Sequence, residues 1–146
     1  MPLELPVAKA FHCSIVTPTE TVYDGDVEYA SFPASDGQHG VIAGQSPVLS
    51  RLGYGSLRLD FAEGGSRWYL LEGGVAQVQD GELTLLTNRA TAAERLSVEA
   101  AEAELAQANA RVTAPGEDRA QIEHDQQRAL AKKALARAMI DRGGAI

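Results

Sequence analysis

The sequence has little of three things that would indicate particular functions. Cys13 is the only cysteine in 146 residues, so an internal disulfide is excluded, which fits a reducing compartment. Acidic side chains outnumber basic ones by 20 to 13, and the resulting net charge of −7 argues against nucleic acid as a partner. No run approaches the roughly 20 apolar residues of a membrane span, and the first residues lack the basic, apolar pattern of a secretory signal. We therefore expect a soluble, cytoplasmic chain that reaches a membrane only through partners.

The chain changes character at about Ala90. Of fourteen glycines, eleven lie from Gly25 to Gly81 and three lie after Ala90, whereas alanine is concentrated in the last third. Glycine suits turns and is penalised inside helices, while alanine is the best helix former. Eleven acidic and five basic side chains up to Ala90 give that part a net charge of −6, against −1 for the remainder. The pattern predicts a β domain over residues 1–90 and a helical domain over residues 91–146.

The first part predicts an all-β sandwich of about ten short antiparallel strands. Its clearest alternation places Leu57, Leu59 and Phe61 on one face, which indicates strands with one buried side. Turns are predicted at Asp24-Gly25, after Phe61, at Gly73-Gly74 and at Asp80-Gly81, and their intervals of roughly 8 to 12 residues are typical of a sandwich or barrel.

The second part predicts an antiparallel hairpin of two α-helices. Residues 97–112 contain neither glycine nor proline, and their apolar side chains recur at helical spacing. Ser97 is the expected N-cap, although a capping box at Thr91–Glu94 leaves the start open. After Pro115-Gly116, a second helix is expected from about Glu117 to Arg142, ended by Gly143-Gly144. Because its apolar stripe is mostly alanine, we expect the hairpin to pack weakly and to be detachable.

A glycine-rich loop resembles that of a known family. It contains Gly37, Gly40 and Gly44 and ends at Pro47, and it is followed by the double-glycine run over residues 70–78. With the sandwich-then-hairpin order, these features resemble the epsilon subunit of F-type ATP synthases. One departure is Gln45, which stands where family members have histidine.

The resemblance implies a non-catalytic rotor subunit without a cofactor of its own. Its sandwich would contact the gamma subunit and the c ring at the cytoplasmic face of the bacterial inner membrane, with Gln38, His39 and Gln45 as candidate contacts. Its hairpin would lie on the sandwich or extend along gamma toward the alpha and beta catalytic subunits, where it would restrain ATP hydrolysis.

The resemblance also points to a nucleotide motif that is degenerate here. Some family members bind ATP through Ile or Leu, Asp, two residues, Arg and Ala at the start of the first helix. The matching positions begin at Leu96 and end at Ala101, with Ser97 in place of the acid and Ala100 in place of the arginine. Because the cation that would face a phosphate is missing and Glu99 adds negative charge, we predict no ATP binding at useful affinity.

Basic residues recur along the second helix at Arg128, Lys132, Lys133 and Arg137. Such a stripe is usually a solvated helix face. The resemblance raises a second interpretation, in which these residues hold the extended, inhibitory hairpin against an acidic segment of the beta subunits.

Other function classes are less well supported. His12, His39 and His124 match no metal-ligand spacing, and the side chains of Glu123, His124 and Asp125 diverge on a helix, so we expect neither a metal nor catalysis. The alternative to a rotor subunit is a free-standing β-sandwich binding module whose hairpin mediates self-association. A rotor subunit is expected to be monomeric when isolated, which separates the two hypotheses.

Overall fold

The computed structural model describes residues 10–113, 116 and 118–143. The predicted boundary residues Pro115, Glu117 and Gly144 lie outside the described residues. Short 3-10 turns lie at Ala93–Arg95 and Arg111–Thr113. The strands and helices are β1 (Phe11–Val16), β2 (Thr21–Val27), β3 (Tyr29–Ala34), β4 (Gly37–Val41), β5 (Val48–Asp60), β6 (Ser66–Gln79), β7 (Glu82–Thr87), β8 (Ala90–Ala92), α1 (Val98–Ala110) and α2 (Arg119–Gly143).

The strands form one sheet that folds over on itself. The strand order is β2-β1-β7-β6-β5-β3-β4, and β8 adds to β6. Three strands separate β2 from β5 in this order, yet the ring of Tyr23 on β2 lies 6.2 Å from that of Phe61, directly after β5. Buried side chains from β1 to β7 accordingly share a single apolar cluster. The predicted β-sandwich followed by a helical pair is confirmed.

The details of the sheet correct the sequence prediction in three ways. The described residues contain eight strands rather than about ten, and β5 and β6 are long, at 13 and 14 residues. β1 and β7 pair in parallel, although every other pair is antiparallel. Asp24-Gly25 and Gly73-Gly74 lie inside β2 and β6, whereas Asp80-Gly81 forms the predicted turn.

Gly73 and Gly74 let β6 continue from one layer of the sandwich into the other. Before them β6 pairs with β8, and after them it pairs with β7. Their φ angles are 76° and 119°, which side chains disfavour, and a Cβ on Gly74 would lie 2.0 Å from the carbonyl oxygen of Leu86. Glycine here bends one long strand instead of separating two.

The two helices form the predicted antiparallel hairpin. Lys132 of α2 contacts Glu104 of α1, while Asp125, nearer the start of α2, contacts Arg111 beyond the end of α1. Later residues of α2 therefore face earlier residues of α1. The Ser97 side-chain oxygen accepts a hydrogen bond from the N–H of Ala100 at 3.2 Å, so Ser97 is the N-cap of α1.

Candidate functional site

Two surfaces of the fold are candidates for function: the interface between the hairpin and the sandwich, and the outer face of the sheet around β7. The first contains most of the predicted residues of the second helix. The second was not singled out from the sequence. Neither contains a catalytic arrangement, and among the described residues no three His, Cys, Asp or Glu side chains are placed to hold a metal ion.

The apolar part of the hairpin interface is small. Leu135 of α2 is 4% exposed and packs against Leu70 of β6 and Ala93 in the 3-10 turn before α1. Partly buried Trp68 and Ala131 pack against these three, together with Leu96 and Met139. A cavity of about 470 Å³ lies beside them between α2 and strands β3, β5 and β6. The helix therefore touches the sandwich through few large side chains, and detachment of the hairpin stays a prediction.

Polar side chains complete this interface. Arg128 of α2 places its Nε 2.6 Å from Oε1 of Glu72, a buried carboxylate on β6. A hydrogen bond joins the Tyr54 hydroxyl to Nε2 of His124, and the two rings meet edge to face with centroids 4.7 Å apart. Burial, followed by the negative charge of Glu72, raises the pKa of Tyr54. These contacts tie the first half of α2 to β5 and β6.

The predicted basic stripe divides into separate contacts. Arg128 faces the sandwich, whereas Lys132 donates hydrogen bonds of 3.1 and 3.2 Å to Glu104 within the hairpin. Lys133 and Arg137 each lie 3.6 Å from the same oxygen of Glu102. In this arrangement all four cations have carboxylate partners inside the chain. The sequence could not show this division, because i, i+4 spacing fixes neighbours on one helix and not the partner opposite.

The positions of the degenerate nucleotide motif have structural roles. Leu96 packs on the apolar cluster beneath the hairpin, and Ala101 is buried at 1% exposure. Ser97 caps α1 through the N–H of Ala100, and its hydroxyl also donates to Glu99 at 3.0 Å. The backbone N–H of Glu99 and the Ser97 hydroxyl lower the pKa of Glu99, so a negative charge stays at this helix start. The prediction that ATP is not bound stays a prediction.

The predicted loop contacts lie at one edge of the sheet. Gln38 and His39 are on edge strand β4, where Gln38 donates hydrogen bonds to the Ser31 hydroxyl at 2.9 Å and to the Ser56 carbonyl at 3.3 Å. His39 stacks on Phe32 and lies 3.1 Å from Oδ1 of Asp36. Gln38 also lines the cavity beneath α2. The structure thus brings Gln38 to the hairpin interface as well as to the sheet edge.

Gln45 lies apart from these two, in the connection between β4 and β5. It is half-buried, and Ile42 in the same connection is 60% exposed. The turn depends on Gly44, whose φ is 81°. This connection therefore presents an apolar and a polar side chain beside each other, a combination suited to contact with another protein.

Three exposed apolar side chains lie among polar ones on the outer face of the sheet around β7. Val75 of β6 pairs directly with Leu86 of β7, and Leu86 pairs with Val16 of β1. Leu86 is 50% exposed and Val75 39%, and Leu49 at the start of β5 reaches 74%. A hollow of about 290 Å³ lies beside Leu86. We call Leu49, Val75 and Leu86 the apolar sheet face.

The sequence carried a signal for this face. Leu85 and Leu86 are adjacent on one strand, so their side chains point to opposite sides of the sheet. Leu85 is fully buried in the core, and Leu86 therefore has to point outward. An apolar pair in place of alternation is typical of a strand covered on both faces.

The remaining histidine, His12, lies on β1 near the edge of the sheet. Its Nε2 is 2.5 Å from Asp24 and its Nδ1 is 3.2 Å from Asp26, both on β2. A hydrogen bond with Asp26 and the charge of Asp24 raise the pKa of His12. In the part of the chain that the structure describes, no helix is long and apolar enough to cross a membrane.

The sequence of this chain is similar to those of known proteins. Residues 10–93 match the family model described as "ATP synthase, Delta/Epsilon chain, beta-sandwich domain". The chain is 39% identical over 99 residues to the ATP synthase epsilon chain of Rhodopirellula baltica, covering 68% of this chain and 77% of that protein. It is 33% identical over 137 residues to that of Nitratidesulfovibrio vulgaris strain DP4, covering 94% and 98%.

Solved structures resemble the fold. A chain in the cryo-EM structure of the Euglena gracilis mitochondrial ATP synthase matches with a TM-score of 0.79 at 24% identity, covering 90% of this chain and 82% of that one. A chain in the central stalk and c-ring structure of the Tetrahymena thermophila enzyme matches with a TM-score of 0.57 at 14% identity, covering 87% and 94%. At these identities the likeness concerns the arrangement of sandwich and helices.

Proposed function

The chain belongs to the epsilon-subunit family of F-type ATP synthases, and from this premise we propose that it is a non-catalytic rotor subunit of the central stalk. Its sandwich binds the gamma subunit and the c ring, and through them the chain sits peripherally at the cytoplasmic face of the bacterial inner membrane. The observation that carries this proposal is the apolar sheet face, where Leu49, Val75 and Leu86 are exposed although the interior of the sandwich is already filled by its own apolar cluster. Val75 and Leu86 are direct cross-strand neighbours, and adjacent exposed apolar side chains favour a protein interface.

The apolar sheet face is tested by binding to the gamma subunit. Replacing Val75 and Leu86 together by serine removes two half-exposed apolar side chains that the core does not need. At about 1–2 kcal/mol for each newly buried side chain, affinity should fall roughly 30- to 1000-fold. Leu130→Ser is the matched control, because Leu130 is 51% exposed but lies on α2. Equal binding of the gamma subunit by the double variant and the control would rule out the apolar sheet face as the gamma-binding surface.

The hairpin forms the regulatory part of the proposal. The interface with the sandwich is small, and Lys133 and Arg137 share a single carboxylate oxygen of Glu102 at 3.6 Å each. These two cations therefore lose little electrostatic stabilisation when α2 separates from Glu102 of α1. They suit an acidic partner on the catalytic subunits. We expect the extended hairpin to restrain ATP hydrolysis through them.

This regulation is tested by measuring ATP hydrolysis in an ATP synthase complex reassembled with variants of this chain. Removing residues from Ser97 onward keeps β8 and Ala93, which cover β6, and should raise hydrolysis if the hairpin inhibits. Lys133→Glu with Arg137→Glu should relieve inhibition to a similar degree, whereas Arg119→Glu, on the exposed start of α2, should not. Unchanged ATP hydrolysis in the complex with the truncated chain would exclude inhibition by the hairpin. Relief by truncation but not by the double substitution would exclude Lys133 and Arg137 as the inhibitory contacts.

Two further measurements address the remaining alternatives. Sedimentation of the isolated chain should give a monomer, whereas a stable dimer would favour the self-associating binding module. Calorimetry with ATP should show no binding below millimolar concentration, because Ser97 and Ala100 supply no cation and Glu99 remains charged. Tighter binding would mean that basic residues of α2 replace the missing arginine.

A further inference from the structure

Glu72 lies between two arginines that belong to different parts of the molecule. Its carboxylate is in the middle of β6, and the residue is 7% exposed. Oε1 is 2.6 Å from Nε of Arg128 on α2, and Oε2 is 3.9 Å from Nε of Arg89, between β7 and β8. One carboxylate therefore has one cation from the hairpin and one from the sandwich.

Hydrogen bonds within the sandwich hold Arg89 beside Glu72. The N–H of Glu72 donates to the carbonyl of Arg89 at 3.0 Å, and the hydroxyl of Thr87 donates to the same carbonyl at 3.2 Å. The side-chain amide of Asn88 donates to the Glu72 carbonyl at 3.2 Å. The Arg89 side chain is 62% exposed, so it has room to turn toward the carboxylate. Arg128, in contrast, belongs to α2.

Neither arginine fully satisfies Glu72 in the docked arrangement. Among the described residues, Oε2 of Glu72 accepts no hydrogen bond. Nε of Arg128 also has no hydrogen-bond partner there despite the short distance, so the contact is an ion pair without a directed N–H···O bond. A buried ion pair with incomplete hydrogen bonding is easier to exchange than a bidentate one.

We propose that Glu72 exchanges Arg128 for Arg89 when the hairpin leaves the sandwich, so that the two arginines compete and set the docking equilibrium. In the docked state Arg89 is too distant for a hydrogen bond, and its charge repels Arg128. In the released state Arg89 is free to pair with both carboxylate oxygens. Arg89 therefore stabilises the released state more than the docked one, whereas Arg128 stabilises only the docked one.

This inference deepens the proposed movement of the hairpin, and it is tested in the isolated full-length chain. Trp68 is the only tryptophan and packs against the cluster that Leu135 covers, so its emission reports hairpin release during a urea titration. Arg89→Gln should favour docking about two- to fivefold, the size of an exposed ion pair. Arg128→Gln should weaken docking by about tenfold or more.

The double variant makes the competition specific. Without Arg128, Glu72 depends on Arg89 in the docked state, so Arg89→Gln should now weaken docking instead of strengthening it. Arg89→Lys keeps the charge but cannot pair with both carboxylate oxygens at once, so it should fall between the wild type and Arg89→Gln. Arg51→Ala, which removes an exposed arginine from β5, should have no effect. The same direction of effect for Arg89→Gln in both backgrounds, or no effect, would overturn the competition. Because ATP hydrolysis is not measured, a failure here is distinct from a failure of the inhibitory role.

Discussion

Replacing Leu135 by alanine tests whether the hairpin leaves the sandwich as a separate unit. Leu135 is 4% exposed and is the largest buried α2 side chain in the cluster that joins the hairpin to the sandwich. The substitution removes three carbon atoms, each worth about 0.8 kcal/mol, or roughly 2.4 kcal/mol in total. The neighbouring cavity of about 470 Å³ already opens beside this side chain, so the additional cavity term should be small. Docking should weaken about 50-fold.

Two spectroscopic signals separate this effect from unfolding of the sandwich. Trp68 emission follows hairpin release, and the β signal in far-ultraviolet circular dichroism follows the sheet. Leu135→Ala should lower the urea midpoint of the first transition, which Trp68 emission reports, and leave the second, which circular dichroism reports, unchanged. Leu85→Ala, in the sandwich core, should lower the midpoint of the second transition. Leu130→Ala, at a 51% exposed position of α2, should change neither. One joint transition that Leu135→Ala shifts as a whole would refute the reasoning, as would no shift in the first.

Three further predictions concern the sandwich. Gly74→Ala should destabilise it by more than about 3 kcal/mol in thermal unfolding, because a Cβ there would lie 2.0 Å from the Leu86 carbonyl at a φ of 119°; a normal melting temperature would contradict this. His12 should titrate above 6.5 by NMR, and Asp26→Asn should lower its pKa; the stabilisation from this contact is complete below pH 6.5 and disappears as the pH rises through the higher folded-state value. Cys13, whose pKa burial raises to about 12, should resist thiol reagents at pH 8 until the sandwich unfolds.

Local patterns in the sequence predicted the elements that depend on near neighbours. Leu57 and Leu59 alternate with polar residues and are fully buried, as their spacing indicates. Ser97 caps α1 because its side chain needs only the N–H of Ala100, three residues away. The same holds for Asp80-Gly81, which forms a tight turn with positive φ at both residues.

Elements that depend on distant strands were predicted less well. Asp24-Gly25 has the composition of a turn, but pairing of Gly25 with Cys13 keeps it extended in β2. The parallel pairing of β1 with β7 joins segments about seventy residues apart, for which strand periodicity carries no signal. The strand count was too high for a related reason, because Gly73 and Gly74 bend β6 instead of ending it.

The sequence by itself determined a β-sandwich followed by a helical hairpin, because alternation, turn residues and helix caps act over a few residues. It also determined the charges on α2, but not their partners. Only the tertiary structure decided that Arg128 faces Glu72 while Lys132 faces Glu104, because a side chain's partner depends on how the helix docks on the sandwich. The outward position of Leu86 was decided in the same way, by the register that buries Leu85. Contacts across the fold are set by packing, which residue spacing along the chain does not encode.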